Sequence, residues 1–324
     1  MRLLLTGGSG FIGTNLIAYY KDKADAIVNL DIAEPLNSDH TCFYQKTDIM
    51  NAEQLTHAFI KFKPTHIIHL AARTDCVEGV DVYAEYDLNI TGTKHVLDAI
   101  KATESIERVI ITSSQYVCGP DHYPQNMEDY GPHTVYGQSK VLTEQLTRAA
   151  NLDCVWTLTR PENIWGSWHM RYRREAWNVI RKGLYLHPGG APVRRCYGYV
   201  GNVVWQMNQI LKSDPEIVHE QVFYLGDRAM DIYDWVNEFS RQLGKGRAKK
   251  IPRPILQSIG LLGDISTKLT GRKFPLTSSR FRSMTEDYLT PIENSFTVFG
   301  EPPYSLEDGV RETVMWLNQY GWEF

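Results

Sequence analysis

Short apolar runs alternate with longer amphipathic stretches through the first half of the chain. Arg2–Leu5, Ala26–Leu30, His66–Leu70, Arg108–Ile111 and Val155–Leu158 have the length and near-continuous hydrophobicity of strands buried on both faces. Between them, Gly13–Lys21, Ala52–Phe62, Val82–Ala102 and Val135–Ala150 repeat apolar residues at helical spacing. This alternation predicts an α/β fold, a Rossmann-type doubly wound parallel sheet with helices on both faces. After about residue 165 the pattern changes. Arg173–Lys182 and Asn202–Leu211 read as helices, Val222–Leu225 as a late strand and Ser305–Gln319 as the last clear helix, while residues 251–303 are rich in Pro, Gly and Ser. The expected division is a sheet domain over 1–165 and a smaller C-terminal lobe over 166–324, interleaved with it.

The bulk numbers narrow the function classes. A chain of 324 residues with net charge -4 and no long block of like charge gives no expectation of nucleic acid or membrane as a partner. The basic cluster Lys245–Lys250 reads as a solvated loop. Five cysteines, at 42, 76, 118, 154 and 196, form no CxxC pair, which points to reduced thiols, a cytoplasmic location and no metal site. The start, MRLLLTGG, is too short in apolar residues for a signal-peptide core, and no run approaches the roughly 20 apolar residues that span a bilayer.

Two local patterns carry chemistry. LLLTGGSGFIG joins the first strand to the first helix, with Gly7, Gly10 and Gly13 spaced so that the backbone turns sharply and approaches a pyrophosphate. The N–H groups of the helix start, at Phe11 and Ile12, add a positive dipole end. Asp31 then closes the second strand. Its carboxylate can accept from both hydroxyls of an adenosine ribose and repels a 2′-phosphate, so NAD rather than NADP is the expected cofactor. Ile32 follows with no Lys or Arg nearby, and Asp48–Ile49 are candidates for the adenine. Further on, Tyr136 and Lys140 in YGQSK share a helix face. A cation beside a phenol stabilises phenolate and makes a usable base.

Taken together these residues resemble the extended short-chain dehydrogenase/reductase family, in its nucleotide-sugar epimerase and dehydratase group, and are especially similar to the UDP-galactose 4-epimerase pattern. TGGSGFIG, IHLAA (Ile68–Ala72), DLNITGT, SSQYVCG, YGQSK, RPENIWG, RCYGYVGNVV and LEDGVRETVMW follow in family order over nearly the whole chain. The resemblance implies NAD contacts at Leu70, Ala71, Ala72, Asn89, Tyr136, Lys140 and Pro161. It implies catalysis by Ser114, Tyr136 and Lys140. It implies a nucleotide-sugar substrate held by Ser114, Gln115, Tyr116, Asn163 and Arg195, with Arg282 or Arg280 as a second phosphate clamp. The segment Trp168, His169, Arg171 is placed to close over the substrate.

The residues after Ser114 choose among reactions. The 4,6-dehydratases that the chain resembles carry Asp-Glu there, and the decarboxylases a Glu in the second place. Gln115 and Tyr116 are neither. Simple hydride transfer remains: a 4-epimerase working through a 4-keto sugar, or a ketoreductase. YVGNV, with Gly201–Asn202 in place of an acidic pair, resembles the 3β-hydroxysteroid dehydrogenase branch and keeps that reading open. Both Val82–Ala102 and Val135–Ala150 carry more apolar positions than one stripe requires, and in similar proteins these helices pair across a two-fold axis, so a homodimer is expected.

Overall fold

Leu3 and Leu5 face one side of a parallel sheet and Leu4 the other, and two cores form accordingly. The computed structural model describes residues 1–271, 274 and 276–322. Its central sheet has strands β1 (Arg2–Thr6), β2 (Ala26–Asp31), β3 (Tyr44–Lys46), β4 (His66–His69), β5 (Arg108–Thr112), β6 (Val155–Pro161) and β7 (Gln221–Leu225). They lie all parallel in the order β7-β6-β5-β4-β1-β2-β3. The order reverses between β1 and β4, the place where such sheets open a crevice for ligands.

The main helices are α1 (Phe11–Tyr20), α2 (Ala52–Phe62), α3 (Asp87–Lys101), α4 (Val135–Ala149), α5 (Val200–Lys212), α6 (Ile232–Gln242), α7 (Arg253–Thr270) and α8 (Leu306–Tyr320). On one face, Leu16 and Ile17 of α1, Val203 and Met207 of α5 and Val310 and Leu317 of α8 join Leu3, Leu5, Ile68 and Ile110. On the other, Leu55 and Phe59 of α2 and Val96 and Leu97 of α3 cover Leu4, Ile67, Val109 and Ile111. Each fully buried leucine contributes about 1.5–3 kcal/mol of transfer free energy, so the strands stay on these faces.

The elements differ from the sequence reading in three places. The edge strand β3 is short and mostly polar, and left no apolar run to find. The predicted helix over Val82–Ala102 is two, Val82–Glu85 and α3, broken at Tyr86, whose φ of -115° and ψ of 25° are not helical. The fully buried Tyr86 ring is held there by its hydroxyl, which donates to the Asp75 carbonyl and accepts from the Val77 amide. Residues 251–303 hold an 18-residue helix, α7. Its packed face is built of Leu256, Gly260 and Gly263. A Cβ on Gly263 would stand 2.0 Å from the Leu276 carbonyl oxygen, so small residues mark contact here. Where Val222–Leu225 reads as a late strand, β7 does form, and it pairs with β6, so the sheet is completed by the second half of the chain.

Candidate active site

At the switch point, Gly7 takes a φ of +74° and a Cβ there would stand 2.5 Å from the Ala71 amide nitrogen. The loop can therefore lie directly on the end of β4, where Leu70 N donates to Thr6 O. Gly10 caps α1 with no side-chain hydrogen bond and no acidic residue in the first turn, which leaves its leading N–H groups for an anion. Asp31 is fixed by two backbone amides: Ser9 N donates to Oδ2 at 3.0 Å and Ala33 N to Oδ1 at 2.9 Å. Its remaining lone pairs suit two ribose hydroxyls. Ile32 stands exposed beside it. Asp48 is exposed, with Oδ1 accepting from Met50 N. Ile49 is a core residue whose side chain packs on Gly92 and whose carbonyl meets the His95 ring at 2.9 Å. Asn89 ties α3 to its surroundings: it accepts from Arg73 N at 2.7 Å and spends both amide protons on Arg73 O and Ser139 Oγ. It thereby positions the chain just after Ala71–Ala72.

Tyr136 and Lys140 lie on the buried face of α4, Lys140 only 2 % exposed. Burial pushes the Tyr136 phenol above its ordinary range, and the hydrogen bond with Ser114 opposes this. Burial also lowers Lys140 to about 8, against the attraction of Glu144. Cys76, Tyr116 and Tyr86 nearby push the Tyr136 phenol further up. Tyr116 meets Tyr136 edge-on with ring centroids 5.8 Å apart. Its backbone N–H donates to Ser114 Oγ at 3.2 Å, which holds the shelf in place. Gln115 is 1 % exposed, and neither polar atom of its amide has a hydrogen-bond partner among the described residues, nor does the Ser113 hydroxyl.

The lobe supplies the cations. Arg195 is buried, donates through Nε to the Glu286 carbonyl and lies over the Tyr288 ring at 5.8 Å. Arg195 and Arg171 both lower the Tyr116 pKa against the effect of burial. Arg282 is exposed on the short helix Ser278–Ser283, and its carbonyl accepts from the N–H of Glu286, whose own carbonyl accepts from Arg195. Arg280 is paired with Glu175. Arg171 follows the turn at Gly166–His169, which is closed by His169 N donating to Gly166 O. That turn is anchored on α1: Asn15 Nδ2 donates to Ser167 O at 3.0 Å and the Phe11 and His169 rings lie 4.7 Å apart. Trp168 holds a φ of 72°, costly for a bulky residue, and is gripped by Trp316 and Tyr320 of α8. Pro161 ends β6, and Asn163 begins the strand Asn163–Trp165, which pairs with Tyr197–Tyr199.

Several residues of the site left little trace in the sequence pattern. His133 stacks on Tyr116 at 5.3 Å. The Tyr288 hydroxyl donates to the carbonyls of Gln115 and Cys118 and seals the shelf from the far lobe. His69 lies under the loop between Thr6 and Thr93, at 2.6 and 3.2 Å, and burial lowers it to about 3, so it is neutral. Gly137 did have a signal, its place directly after Tyr136. A Cβ there would stand 2.2 Å from the Tyr116 carbonyl oxygen, so only glycine lets α4 meet the shelf.

The fold and site define an NAD-binding α/β enzyme with a serine, tyrosine and lysine at the switch point. The chain belongs to the NAD dependent epimerase/dehydratase family, whose model matches residues 3–226, and NAD is its cofactor; the unblocked α1 start and the held Asp31 carboxylate fit it. It is 29 % identical, over 97 % of this chain and 95 % of the other, to an N-acetyl-α-D-glucosaminyl-diphospho-ditrans,octacis-undecaprenol 4-epimerase of Escherichia coli O157:H7. It is 25 % identical, over 97 % and 95 %, to 3 beta-hydroxysteroid dehydrogenase type 7 of Mus musculus. Its fold is similar to that of UDP-glucuronic acid 4-epimerase from Bacillus cereus, solved with UDP-glucuronic acid and NAD: TM-score 0.73, 19 % identity, 99 % and 100 % coverage.

Proposed function

We propose that this protein inverts C4 of a sugar carried on a diphosphate, through a 4-keto sugar. The observation that carries this reading is the pair that follows Ser114 on the shelf: Gln115 is buried there and Tyr116 lies edge-on to Tyr136, and neither is a carboxylic acid. Elimination or decarboxylation needs a second acid or base at the sugar; epimerisation needs one group that moves a proton on and off one oxygen. Tyr136 Oη takes the C4 hydroxyl proton and later returns it. Ser114 Oγ holds the same oxygen. Lys140 keeps a positive charge behind the phenol. Bound NAD supplies hydride acceptance and return, and in its oxidised form a second positive charge. Arg195 and Arg171 suit the diphosphate.

A 3β-hydroxysteroid-type dehydrogenase stands as the alternative, supported by the whole-length likeness to 3 beta-hydroxysteroid dehydrogenase type 7. Asn202 of YVGNV is buried and its amide bonds Asp227 and the Tyr304 backbone, so the motif concerns packing of α5. The carrier is a nucleotide in this proposal. The likeness over whole length to an epimerase of an undecaprenol-diphosphate sugar makes a polyprenol the second carrier to assay. The test incubates the protein with UDP-sugars and with a polyprenol-diphosphate N-acetylhexosamine, following C4 configuration by NMR and NADH by absorbance. Inversion with no net NADH is expected. Loss of water or carbon dioxide from the product, or net NADH, overturns the proposal. Tyr136→Phe should lower turnover at least about 10²–10⁴-fold with the fold intact; an active variant removes Tyr136 from the chemistry.

A further inference from the structure

The buried stripe of α7, Leu256, Gly260 and Gly263, accounts for one face of that helix. A second face is also apolar and is turned to solvent. Ile255, Leu261, Leu262, Ile265 and Leu269 are 52, 54, 65, 55 and 80 % exposed. Their spacing of three, four and seven places them on one side of the helix, interrupted only by Ser258. Phe274, just beyond the helix end, is exposed too. A lone exposed leucine is ordinary; a contiguous apolar strip of this length marks a surface that meets something.

The charge around the strip says what. Residues 245–273 contain eight Lys or Arg (Lys245, Arg247, Lys249, Lys250, Arg253, Lys268, Arg272, Lys273) and one acid, Asp264, in a chain whose net charge is -4. Arg272 and Lys273 lie outside the described residues. Lys245, Arg247, Lys249, Lys250 and Lys268 are exposed. Asp264 accepts from Ser278 N. Lys249 and Lys250 sit on the strand that leads into α7, and the register partner of Lys249, Leu186, is exposed as well. Two copies of this chain meeting face to face through α7 would set these basic groups against each other. An apolar helix face flanked by Lys and Arg instead suits a sheet of anionic headgroups over hydrocarbon.

We infer that α7 docks this protein on an anionic lipid bilayer, with Leu262, Ile265 and Leu269 entering the interface and the exposed cations Lys245, Arg247, Lys249, Lys250 and Lys268 on the headgroups. This reverses the expectation drawn from net charge, which averages over the whole chain and hides a local excess. The helix lies in the interface and does not cross it: no helix among the described residues is long and apolar enough to span a membrane. The inference does not depend on the reaction proposed above.

The test is sedimentation of the purified full chain, loaded with NAD, with vesicles of phosphatidylcholine alone or of phosphatidylcholine with phosphatidylglycerol. At least roughly tenfold more protein should sediment with the anionic vesicles, with the difference shrinking at high salt. Leu262→Glu/Ile265→Glu should abolish sedimentation while circular dichroism, thermal midpoint and NAD binding stay unchanged. Lys249→Glu/Lys250→Glu should weaken it several-fold. Failure of the wild type to bind either vesicle overturns the proposal. So does full binding by the Leu262→Glu/Ile265→Glu variant, which would reduce the contact to charge alone. A wild-type oligomer that this variant converts to smaller species by light scattering also overturns it, because a second copy would then cover the strip.

Discussion

Asp31 ends β2 with its carboxylate held by the amides of Ser9 and Ala33. A 2′-phosphate at the same ribose would face a fixed negative charge in a half-buried site. NAD should therefore bind more tightly than NADP by at least about 1.4 kcal/mol, tenfold, and Asp31→Ser should narrow the ratio. Calorimetry with both cofactors checks this; equal wild-type affinities would show that the carboxylate does not meet the ribose. Lys140 gives a pH signature. Its folded value of about 8 lies below the ordinary 10.5, because burial disfavours its charge. Between those values the unfolded chain binds the extra proton. This group's contribution to stability is present above about pH 10.5 and lost as the pH falls through 8. Between pH 8 and 10.5 the wild type should gain about 3 kcal/mol relative to Lys140→Met. Denaturant unfolding of both proteins across that window measures the difference, and parallel pH profiles would place the ammonium in a wetter setting.

Helix α4 carries Tyr136 and Lys140, and its position rests on an ion pair that the sequence pattern does not reveal. Arg160 of β6 donates to both oxygens of Glu144 at 2.8 Å, with both side chains fully buried. Tyr224, Met127 and Tyr130 complete the network. Removing one partner strands a charge in the core. Glu144→Ala should therefore destabilise the protein by about 3–5 kcal/mol, read by denaturant unfolding. A loss under 1 kcal/mol would mean that water reaches Arg160. Elements were legible where packing follows a single period. β1, β2, β4, β5 and β6 are buried on both faces and read directly as apolar runs. The break at Tyr86 was not legible, because it is set by hydrogen bonds to Asp75 and Val77. Helix α7 was missed because its buried face is glycine and its large apolar residues point outward.

At the scale of the whole molecule, apolar side chains stand on the outer sides of α3 and α4 and along α7. Helices α3 and α4 pack side by side and leave Ile90, Val141, Leu142 and Leu146 half-buried on their outer sides. We expect a homodimer through this face, the commonest symmetry for soluble oligomers. Light scattering at micromolar concentration should give twice the 37.2 kDa chain mass, and Leu142→Glu/Leu146→Glu should restore the monomer. A dimer that survives that change is built elsewhere. The α7 face is separate in sequence and in chemistry from this one, so vesicle binding and dimerisation should respond to different substitutions.

The amino-acid sequence by itself determined the doubly wound sheet, the phosphate loop, Asp31 and the Tyr136–Lys140 pair. Each depends on residues within one strand, one turn or one helix face, where periodicity and glycine spacing act locally. Ser114 and its non-acidic neighbours were legible for the same reason, since they adjoin a strand end. Only the tertiary structure decided which arginines face the shelf. Arg195 and Arg171 both act on Tyr116, and the Gly166–His169 turn that leads to Arg171 is pinned to α1 by Asn15 and Phe11. It also decided that Tyr288 closes over Gln115, that His133 stacks on Tyr116 and that Arg160 pairs with Glu144. These contacts join residues 16 to 173 positions apart in the chain. Hydrophobic burial, summed over the whole chain, sets such pairings, and no local period records it.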